Sequence, residues 1–279
     1  MPTPSSLTRL FPSREEDVAL EGLYLQHALH RAQLQETPLV YSNFIESLDG
    51  RIAIAHPETG EKGVPAAITN PRDWRLYQEL AAQADILVTS ARYVRDFAAG
   101  EAQDALPLSD DPAYADLHEW RRAQGLAPQP AVVVLSASLD LPLEVLCEQL
   151  DRPMYVATGT QADPGRIKTL RAAGAKVLIA GQGRQVEGRA LINALRAEGF
   201  CCIYSIAGTA VLETLVTAGV INRLYLTQVH RLLGGASYHT LLEGRLLEPP
   251  VDFVLNALYY DQGNEECCSQ FFSVYDALR

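Results

Sequence analysis

Short apolar runs alternate with segments of helical periodicity along most of the chain. Five of the apolar runs have the length and residue types of buried strands, and they lie at 132–135, 154–157, 177–180, 202–205 and 224–227. Nearly continuous apolar strands that are separated by helices are typical of a mostly parallel sheet with both faces covered. The pattern therefore predicts an α/β domain whose central sheet is mostly parallel and flanked by helices.

Helix boundaries are marked by residues that favour helix ends. Asn70 before Pro71 places a preferred N-cap ahead of a proline at the first helical position, and this helix is predicted to run to about Gln83. Another helix is predicted within 112–125. Glycine is favoured just after a helix, and three further helices are predicted to end at Gly174, Gly199 and Gly219.

The two ends of the chain follow other patterns. Residues 13–16, Ser-Arg-Glu-Glu, have the form of a capping box and predict a helix that runs to about Gln33. At the other end, the alternating segments 251–260 and 270–275 predict two strands joined by a polar loop. These two strands are expected to form an antiparallel hairpin that closes the sheet at its edge.

One domain accounts for most of the chain. No internal repeat or convincing linker interrupts it, so residues 37–279 are predicted to form a single domain. Residues 1–36 are predicted to be an N-terminal extension with a helix that packs on this domain. Residues 95–130 are richer in Ala, Asp, Pro and Gln, which predicts an insertion or a lid.

The composition narrows the class of protein. The chain has 279 residues, 48% of them apolar, and a formal net charge of −11. This acidic balance argues against nucleic acid or an anionic membrane as a partner, because both are bound by clustered Lys and Arg. No apolar run reaches the ~18 residues of a membrane span, and no signal peptide is recognisable over residues 1–11. The five cysteines include two adjacent pairs, which indicates reduced thiols and a cytoplasmic location.

The stretch 41–51 places polar residues at the end of an early strand. Gly50 accepts a positive φ in the turn, and the Asp49 carboxylate can accept hydrogen bonds from backbone amides that follow it. Ser47 and Asp49 are then presented together where the strand ends. Two interpretations stay open: Asp49 only caps the turn, or both residues contribute to an active site.

Two strand ends could hold a nucleotide. At 205–210 a strand passes through a turn of small residues directly into a helix, and Gly208 permits close approach of a ligand to the backbone. The amides from Gly208 to Leu212 would then face a phosphate at the helix N-terminus. The second strand end is followed by the segment 89–96, where Arg92 or Arg95 could reach a phosphate or could be solvated surface residues.

Two other sites are disfavoured by the motifs. Residues 177–183 have the strand and two glycines of a Rossmann fingerprint, but the third glycine is replaced by Val186. His56 and Glu58 have the H-x-E form of a zinc deaminase, but no Pro-Cys-x-x-Cys segment accompanies them. No metal site is therefore predicted.

Four short motifs occur in a fixed order. They are Ser-Leu-Asp-Gly at 47–50, Ile-Thr-Asn-Pro at 68–71, Ala-Gly at 207–208 and a helix-to-strand passage at 218–226. In this order they resemble the reductase domain of the riboflavin-biosynthesis pyrimidine reductases, which has a dihydrofolate-reductase-like fold. The resemblance covers nearly the whole globular part of the chain. It implies an NADPH-dependent oxidoreductase that reduces a ribosylamino-pyrimidine phosphate.

The resemblance also implies the residues of the site. Asp49 is the candidate catalytic residue, and the substrate would contact Ser47, Asp49 and Ile206. The cofactor-binding residues would be Ile45, Ala67, Thr69, Thr89, Ser90, Asp96, Thr158, Gly208, Thr209, Ala210, Val211 and Leu212. Reductases of this family pair through sheet edges and C-terminal strands, and the apolar alternation at 251–255 would leave an exposed edge in a monomer. A homodimer is therefore expected.

Two positions depart from the family pattern. Ile206 stands where family members commonly carry a Glu, and Ala81 or its neighbours lie where they carry an Arg. Loss of a carboxylate and a guanidinium would weaken the binding of a ribityl phosphate. Three hypotheses follow: a riboflavin pyrimidine reductase, a reductase of another pterin-like or imine/carbonyl substrate, and a non-catalytic nucleotide-binding protein.

Overall fold

The computed structural model describes residues 6–34, 37–99, 106–108, 110–142, 152–264 and 267–278. The strands within these ranges are β1 (Ser6–Phe11), β2 (Glu15–Ala19), β3 (Leu39–Ser47), β4 (Ala53–Ala55), β5 (Lys62–Gly63), β6 (Ile86–Ser90), β7 (Ala131–Leu135), β8 (Met154–Thr158), β9 (Lys176–Ile179), β10 (Cys202–Ser205), β11 (Arg223–Val229), β12 (Tyr238–His239), β13 (Phe253–Asp261) and β14 (Gln270–Ala277). The α-helices are α1 (Pro71–Gln83), α2 (Ala91–Ala98), α3 (Ala115–Ala123), α4 (Pro164–Ala172), α5 (Gly188–Ala197) and α6 (Thr209–Thr217). Short 3-10 helices lie at Leu25–His27, Leu29–Leu34 and Pro112–Tyr114. In these ranges, no helix has the length and apolar character needed to cross a membrane.

Eleven strands form the main sheet, in the order β2-β1-β13-β14-β11-β3-β10-β6-β7-β8-β9. The seven strands from β11 to β9 are parallel to one another. The remaining pairs, from β11 through β14 and β13 to β1 and β2, are antiparallel. The predicted α/β architecture with a mostly parallel sheet and a C-terminal antiparallel pair is confirmed.

Local capping signals fixed the helix boundaries as predicted. The side chain of Asn70 accepts hydrogen bonds from the amides of Arg72 and Asp73, so α1 begins at Pro71 and ends at Gln83. The three glycines that follow α4, α5 and α6 have positive φ, which avoids the steric cost that a Cβ would incur there. They are Gly174, Gly199 and Gly219.

The predicted N-terminal helix is wrong. Residues 13–33 instead contain β2 and two 3-10 helices, and β1 and β2 form an antiparallel hairpin. β1 pairs with β13, so the hairpin gains main-chain hydrogen bonds from the sheet that an isolated helix would lack. Tertiary pairing outweighs the local capping box, because helix propensity is a weak preference. The domain boundary after residue 36 stays a prediction.

The same hairpin changes the predicted sheet edge. β13 was expected to lie at an edge, but β1 covers its outer side and β2 is the outermost strand. Glu15, Glu16 and Asp17 of β2 are exposed. Charged edge strands resist further pairing. The C-terminal hairpin is therefore internal to the sheet, which removes the exposed edge on which the expected homodimer rested.

Two apolar layers bury the sheet. One layer contains side chains of α1 and α3 and of the N-terminal segment, and the other contains side chains of α5 and α6. The helices α5 and α6 approach closely at Gly188, where a Cβ would lie 2.5 Å from the Thr214 carbonyl oxygen. Of the predicted insertion at 95–130, α3 packs on α1 through Leu117 and Arg121, both buried. Residues 100–105 and 109 lie outside the described ranges.

Candidate active site

The strand β10 is shorter at its carboxyl end than the two strands beside it. Its last residue, Ser205, pairs with Ser42 of β3 and Val88 of β6. β3 continues to Ser47 and β6 continues to Ser90. The chain that leaves β10 therefore begins in a depression between two longer strands. Ligands of open α/β sheets bind at such positions beyond the carboxyl ends of strands.

The N-terminus of α6 lies at this depression. Gly208 is the N-cap residue, and no side chain caps the helix. Within the described part of the chain, the amides of Gly208, Thr209 and Ala210 have no acceptor. A Cβ added to Gly208 would meet no atom within 4 Å. Free amides at the positive end of a helix dipole, next to open space, suit a phosphate group.

Two other predicted amides at this turn are not available. Val211 and Leu212 donate their amides to the carbonyl oxygen of Gly208, at 3.1 and 3.2 Å. Their side chains are buried in the layer under α5 and α6. Fewer backbone amides are therefore available to a phosphate than expected, because the amides of Val211 and Leu212 are hydrogen-bonded within the first turn of α6.

The predicted cofactor residues on β6, α2 and β8 share the same sheet edge. Thr89 is buried at the end of β6, and the Ser90 hydroxyl caps the first turn of α2. Asp96 forms an ion pair with Arg92 on the exposed side of α2, at 3.5 Å. Thr158 ends β8, is fully buried, and its hydroxyl oxygen has no hydrogen-bond partner. With ~4.8 Å between strands, Thr158 lies about 14 Å from β10 along the sheet.

Three further predicted cofactor residues lie on the β3 side of the depression. Ile45 is on β3, opposite Thr227 of β11. Ala67 and Thr69 lie in the exposed segment before α1, where the Ala67 carbonyl accepts a hydrogen bond from Arg231 at 2.6 Å. The predicted residues therefore flank the depression on both sides, and their contacts with a ligand stay a prediction.

Asp49 is held by groups from two separate parts of the chain. The Ser47 hydroxyl donates to its carboxylate at 2.5 Å, and Arg51 forms an ion pair with it at 2.5 Å. The amides of Leu233 and Gly234 donate to the same carboxylate, at 3.2 and 2.9 Å. Asp49 therefore fixes the turn after β3 to the loop after β11, as the turn-cap interpretation proposes.

These contacts set the protonation state of Asp49. The Ser47 hydroxyl contributes most, and with the two amides and Arg51 it lowers the pKa of Asp49 from 3.8 to about 2. Asp49 is therefore ionised at neutral pH and can orient neighbouring groups, and its role as the candidate catalytic residue stays a prediction.

We expect Asp49→Asn to be less stable than the wild type near neutral pH. A carboxylate whose pKa is lower in the folded state stabilises the fold above its unfolded pKa, and this contribution is lost as the pH falls through the folded pKa. The stability difference between the two proteins should therefore shrink between about pH 4 and about pH 2. Urea unfolding of both proteins across this range measures it, and an unchanged difference would contradict the assignment.

The two departures from the family pattern have different surroundings. Ile206 follows β10, donates its amide to the Val88 carbonyl, and packs its half-buried side chain against the layer under α1. Ala81 is fully buried near the end of α1, and Arg121 donates to the carbonyls of Ala82 and Ala84 beside it. Position 81 itself therefore does not open into solvent, and the loss of a phosphate-binding Arg at Ala81 or its neighbours stays a prediction. Ile206 does border the depression.

Of the two glycines of the Rossmann-like segment, only Gly181 lies in a tight contact. A Cβ there would lie 2.2 Å from the Gln185 carbonyl oxygen, whereas one on Gly183 would meet no atom within 4 Å. The loop after β8 lies against the loop after β9 at Gly159, where a Cβ would lie 2.0 Å from the Gly183 carbonyl oxygen. In addition, β9 is the outermost strand of the sheet.

Sequence reasoning missed a second, small sheet at the depression. Its order is β12-β4-β5, and it joins the segment after β3 to the loop after β11. The Arg51 guanidinium lies 4.4 Å from the ring centroid of Tyr238 on β12. The strands β5 and β12 are only two residues long, too short for a periodic signal. The paired glycines 234 and 235, both with positive φ, were the one local sign of a tight turn.

No metal site is found in the described ranges, where no three His, Cys, Asp or Glu side chains are arranged to hold an ion. His56 instead accepts a hydrogen bond from the amide of Glu58 through Nδ1. The H-x-E segment is thus part of a local turn.

The mostly parallel sheet and the open helix N-terminus at the end of its central strand define an α/β protein with a candidate site for a phosphate-bearing ligand. The comparison with known families is specific. The chain belongs to the RibD C-terminal domain family, whose sequence profile matches residues 38–256. The predicted family, fold class and enzyme class are confirmed.

Three relatives illustrate this membership. A 2,5-diamino-6-ribosylamino-4(3H)-pyrimidinone 5′-phosphate reductase of Methanothermobacter thermautotrophicus is 25% identical over 217 residues, which are 78% of this chain and 89% of that protein. The structure of a pyrimidine reductase-like protein of Corynebacterium diphtheriae has a TM-score of 0.63 at 20% identity, covering 89% of this chain and 95% of that one. The riboflavin biosynthesis reductase of Saccharomyces cerevisiae has a TM-score of 0.55 at 15% identity, covering 92% and 99%. The two structures share the fold.

Proposed function

We propose that this chain is an NADPH-dependent reductase of a ribosylamino-pyrimidine phosphate in riboflavin biosynthesis. The observation that carries the proposal is the open N-terminus of α6 at the end of β10. Family membership and the Methanothermobacter reductase supply the substrate class. We also place the enzyme in the cytoplasm, which agrees with reduced thiols at Cys201, Cys202 and Cys268.

The residues at this edge of the sheet fit a dinucleotide. Three free amides at Gly208, Thr209 and Ala210 offer donors to a pyrophosphate, and the open space at Gly208 lets it approach the backbone. Thr158 ends β8 along the same edge, but its hydroxyl is fully buried, so a ligand would reach it only if neighbouring side chains moved.

The protein's own part in the reaction is orientation. When bound, NADPH supplies a hydride for the anomeric carbon of the open imine, while the imine nitrogen takes up a proton. Asp49 is ionised in the ligand-free protein at neutral pH. The Asp49 carboxylate and the Ser47 hydroxyl hold the turn after β3 in one position at the depression. Holding reactants in a fixed geometry is itself a large contribution to rate.

Turnover tests the proposal directly. The purified protein should oxidise NADPH, followed by absorbance, only when the aminopyrimidine ribosyl phosphate is supplied. Calorimetry with NADPH alone tests the cofactor separately. Binding without turnover of this substrate would point to a reductase of another pterin-like or imine/carbonyl substrate or to a non-catalytic nucleotide-binding protein, and absence of NADPH binding would overturn the proposed cofactor.

Because Ile206 is apolar, we expect the wild-type protein to have low activity on the riboflavin precursor. An Ile side chain cannot accept hydrogen bonds from ribityl hydroxyls or pyrimidine amines, whereas a Glu can. We expect Ile206→Glu to raise kcat/KM on this precursor while NADPH affinity changes little. A hydrogen bond to a charged group contributes ~1.5–3 kcal/mol, or roughly ten- to a hundredfold in kcat/KM.

The matched control for this prediction is Ile206→Gln, which has nearly the same size and no charge. It should produce a smaller gain than Ile206→Glu. Robust turnover by the wild type, or a folded Ile206→Glu protein that is inert, would contradict this account of position 206.

We propose a homodimer that pairs through a sheet face. The edge strand β2 is acidic, but the second face of β13 and β14 carries Leu258, Tyr260 and Phe271, all incompletely buried. Tyr260 stacks on His230, and Phe271 meets His230 edge-on, so that the three rings form one aromatic cluster. A symmetric partner would cover the same patch on both copies.

We expect light scattering at micromolar concentration to give the mass of a dimer. Phe271→Glu should shift the protein to a monomer, since it places a charge in the centre of the apolar patch. Glu16→Lys, on the β2 edge, should leave the dimer intact. A monomeric wild type would contradict the dimer, and dissociation by Glu16→Lys alone would return the interface to the sheet edge.

A further inference from the structure

The small sheet extends from the β3 side of the depression. We call residues 53–63, which contain β4, β5 and the turn between them, the strap. β4 pairs with β12, and the Ile52 amide donates to the His239 carbonyl at 3.0 Å. The Ser47 to Arg51 turn that precedes the strap is fixed by Asp49. One side of the strap is therefore anchored to β3 and to the loop after β11.

The other side of the strap contacts α2. Arg92 donates from Nη2 to the Lys62 carbonyl of β5, at 3.1 Å. α2 follows β6, and in the main sheet β10 lies between β3 and β6. A contact between the strap and α2 therefore spans the end of β10, where the chain turns through Gly208 into α6.

Two more cationic side chains, those of Lys62 and Arg51, continue this contact across the small sheet. Lys62 donates from Nζ to the Tyr238 carbonyl at 3.2 Å, and the Arg51 guanidinium lies over the Tyr238 ring. Arg51 in turn is paired with Asp49. Arg92 thus connects α2 to the Asp49 turn through the strap. The Arg92 side chain is 53% exposed. Its hydrogen bond to the Lys62 carbonyl is therefore not a consequence of burial of the Arg92 side chain.

We propose that Arg92 is a positioning residue that holds the strap across the depression and so controls access to the pyrophosphate turn. The proposal rests on the proposed function in placing the cofactor there. With Arg92 bound to Lys62, the strap restricts both entry and exit of the ligand. One net hydrogen bond of a charged donor changes the opening equilibrium by roughly tenfold.

The first test needs no ligand. Hydrogen exchange of the amides of residues 54–63 should be about five- to tenfold faster in Arg92→Ala than in the wild type. Arg95→Ala is the matched control, because Arg95 lies on the same helix and donates to Asp140 instead, at 3.3 Å. Its strap should exchange at the wild-type rate. Equal exchange in Arg92→Ala and the wild type would overturn the proposal.

The second test measures entry and exit of NADPH by stopped-flow fluorescence. In Arg92→Ala both the association and the dissociation rate should rise several-fold while Kd changes by less than about threefold. Arg92→Lys, which keeps a donor, should restore part of the effect, and Arg95→Ala should not differ from the wild type. Faster exchange in the strap with unchanged NADPH rates would show that the strap moves but does not cover the site. Failure of the wild type to bind NADPH would remove the cofactor, while hydrogen exchange would still decide whether Arg92 holds the strap.

Discussion

Gly208→Val is expected to abolish measurable NADPH binding without unfolding the protein. The backbone φ of Gly208 is −71°, which any residue adopts, and a Cβ there would meet no atom within 4 Å. The new side chain would instead occupy the space in which a pyrophosphate contacts the amides of Gly208, Thr209 and Ala210. We expect NADPH affinity to fall by at least about a hundredfold, which corresponds to about 2.7 kcal/mol.

Two further glycine variants sharpen this experiment. Gly208→Ala adds a single methyl group and should weaken NADPH binding less than Gly208→Val does. Gly188→Val is the contrasting case, because a Cβ there would lie 2.5 Å from the Thr214 carbonyl oxygen and 2.8 Å from the Ala218 Cβ. It should lower the thermal midpoint. Calorimetry and thermal unfolding on all three proteins separate ligand loss from unfolding, and undiminished NADPH affinity in folded Gly208→Val would move the site elsewhere.

Glu79→Ala is expected to lower the free energy of unfolding by about 3–5 kcal/mol. The Glu79 side chain is fully buried and accepts hydrogen bonds from the amides of Gly22 and Tyr24, at 2.6 and 2.9 Å, and from Arg75 at 3.0 Å. Removal of the carboxylate would leave these donors buried without an acceptor. Buried donors that lose their partner carry the full cost of desolvation.

The matched control is Glu119→Ala on α3. Glu119 lies 3.9 Å from Arg122, and both side chains are more than two-thirds exposed, at 73% and 79%. Surface pairs of this kind contribute little, so urea unfolding should change by less than about 0.5 kcal/mol. A loss below about 1 kcal/mol in Glu79→Ala would contradict the expected role of Glu79.

The Glu79 result also bears on how the first 36 residues relate to the domain. Gln83, one turn further along α1, binds the Leu29 amide and the Tyr24 carbonyl, both at 2.8 Å. The N-terminal segment thus depends on the buried polar side of α1, and β1 occupies a place in the main sheet. If urea unfolding of Glu79→Ala follows a single cooperative transition, the N-terminal segment is part of the domain and not a separate unit.

The sequence alone determined the features that depend on neighbouring residues. The helix α1 begins at Pro71, after the N-cap Asn70, because an N-cap side chain and a preset φ act within three residues. The parallel strands were predicted because an apolar run bounded by helices must be buried on both faces. The small-residue turn at Gly208 was visible for the same reason, since a strand leads directly into a helix there.

Tertiary structure decided the features that join distant residues. The capping box at residues 13–16 predicted a helix, but pairing between β1 and β13 made the segment a hairpin. The Asp49 carboxylate, whose pKa is lowered chiefly by the Ser47 hydroxyl, is also fixed by amides 184 and 185 residues further along the chain, at Leu233 and Gly234. The contact of Arg92 with Lys62 depends on the order in which β3, β10 and β6 lie in the sheet. No local pattern encodes that order, because it follows from the packing of the whole chain.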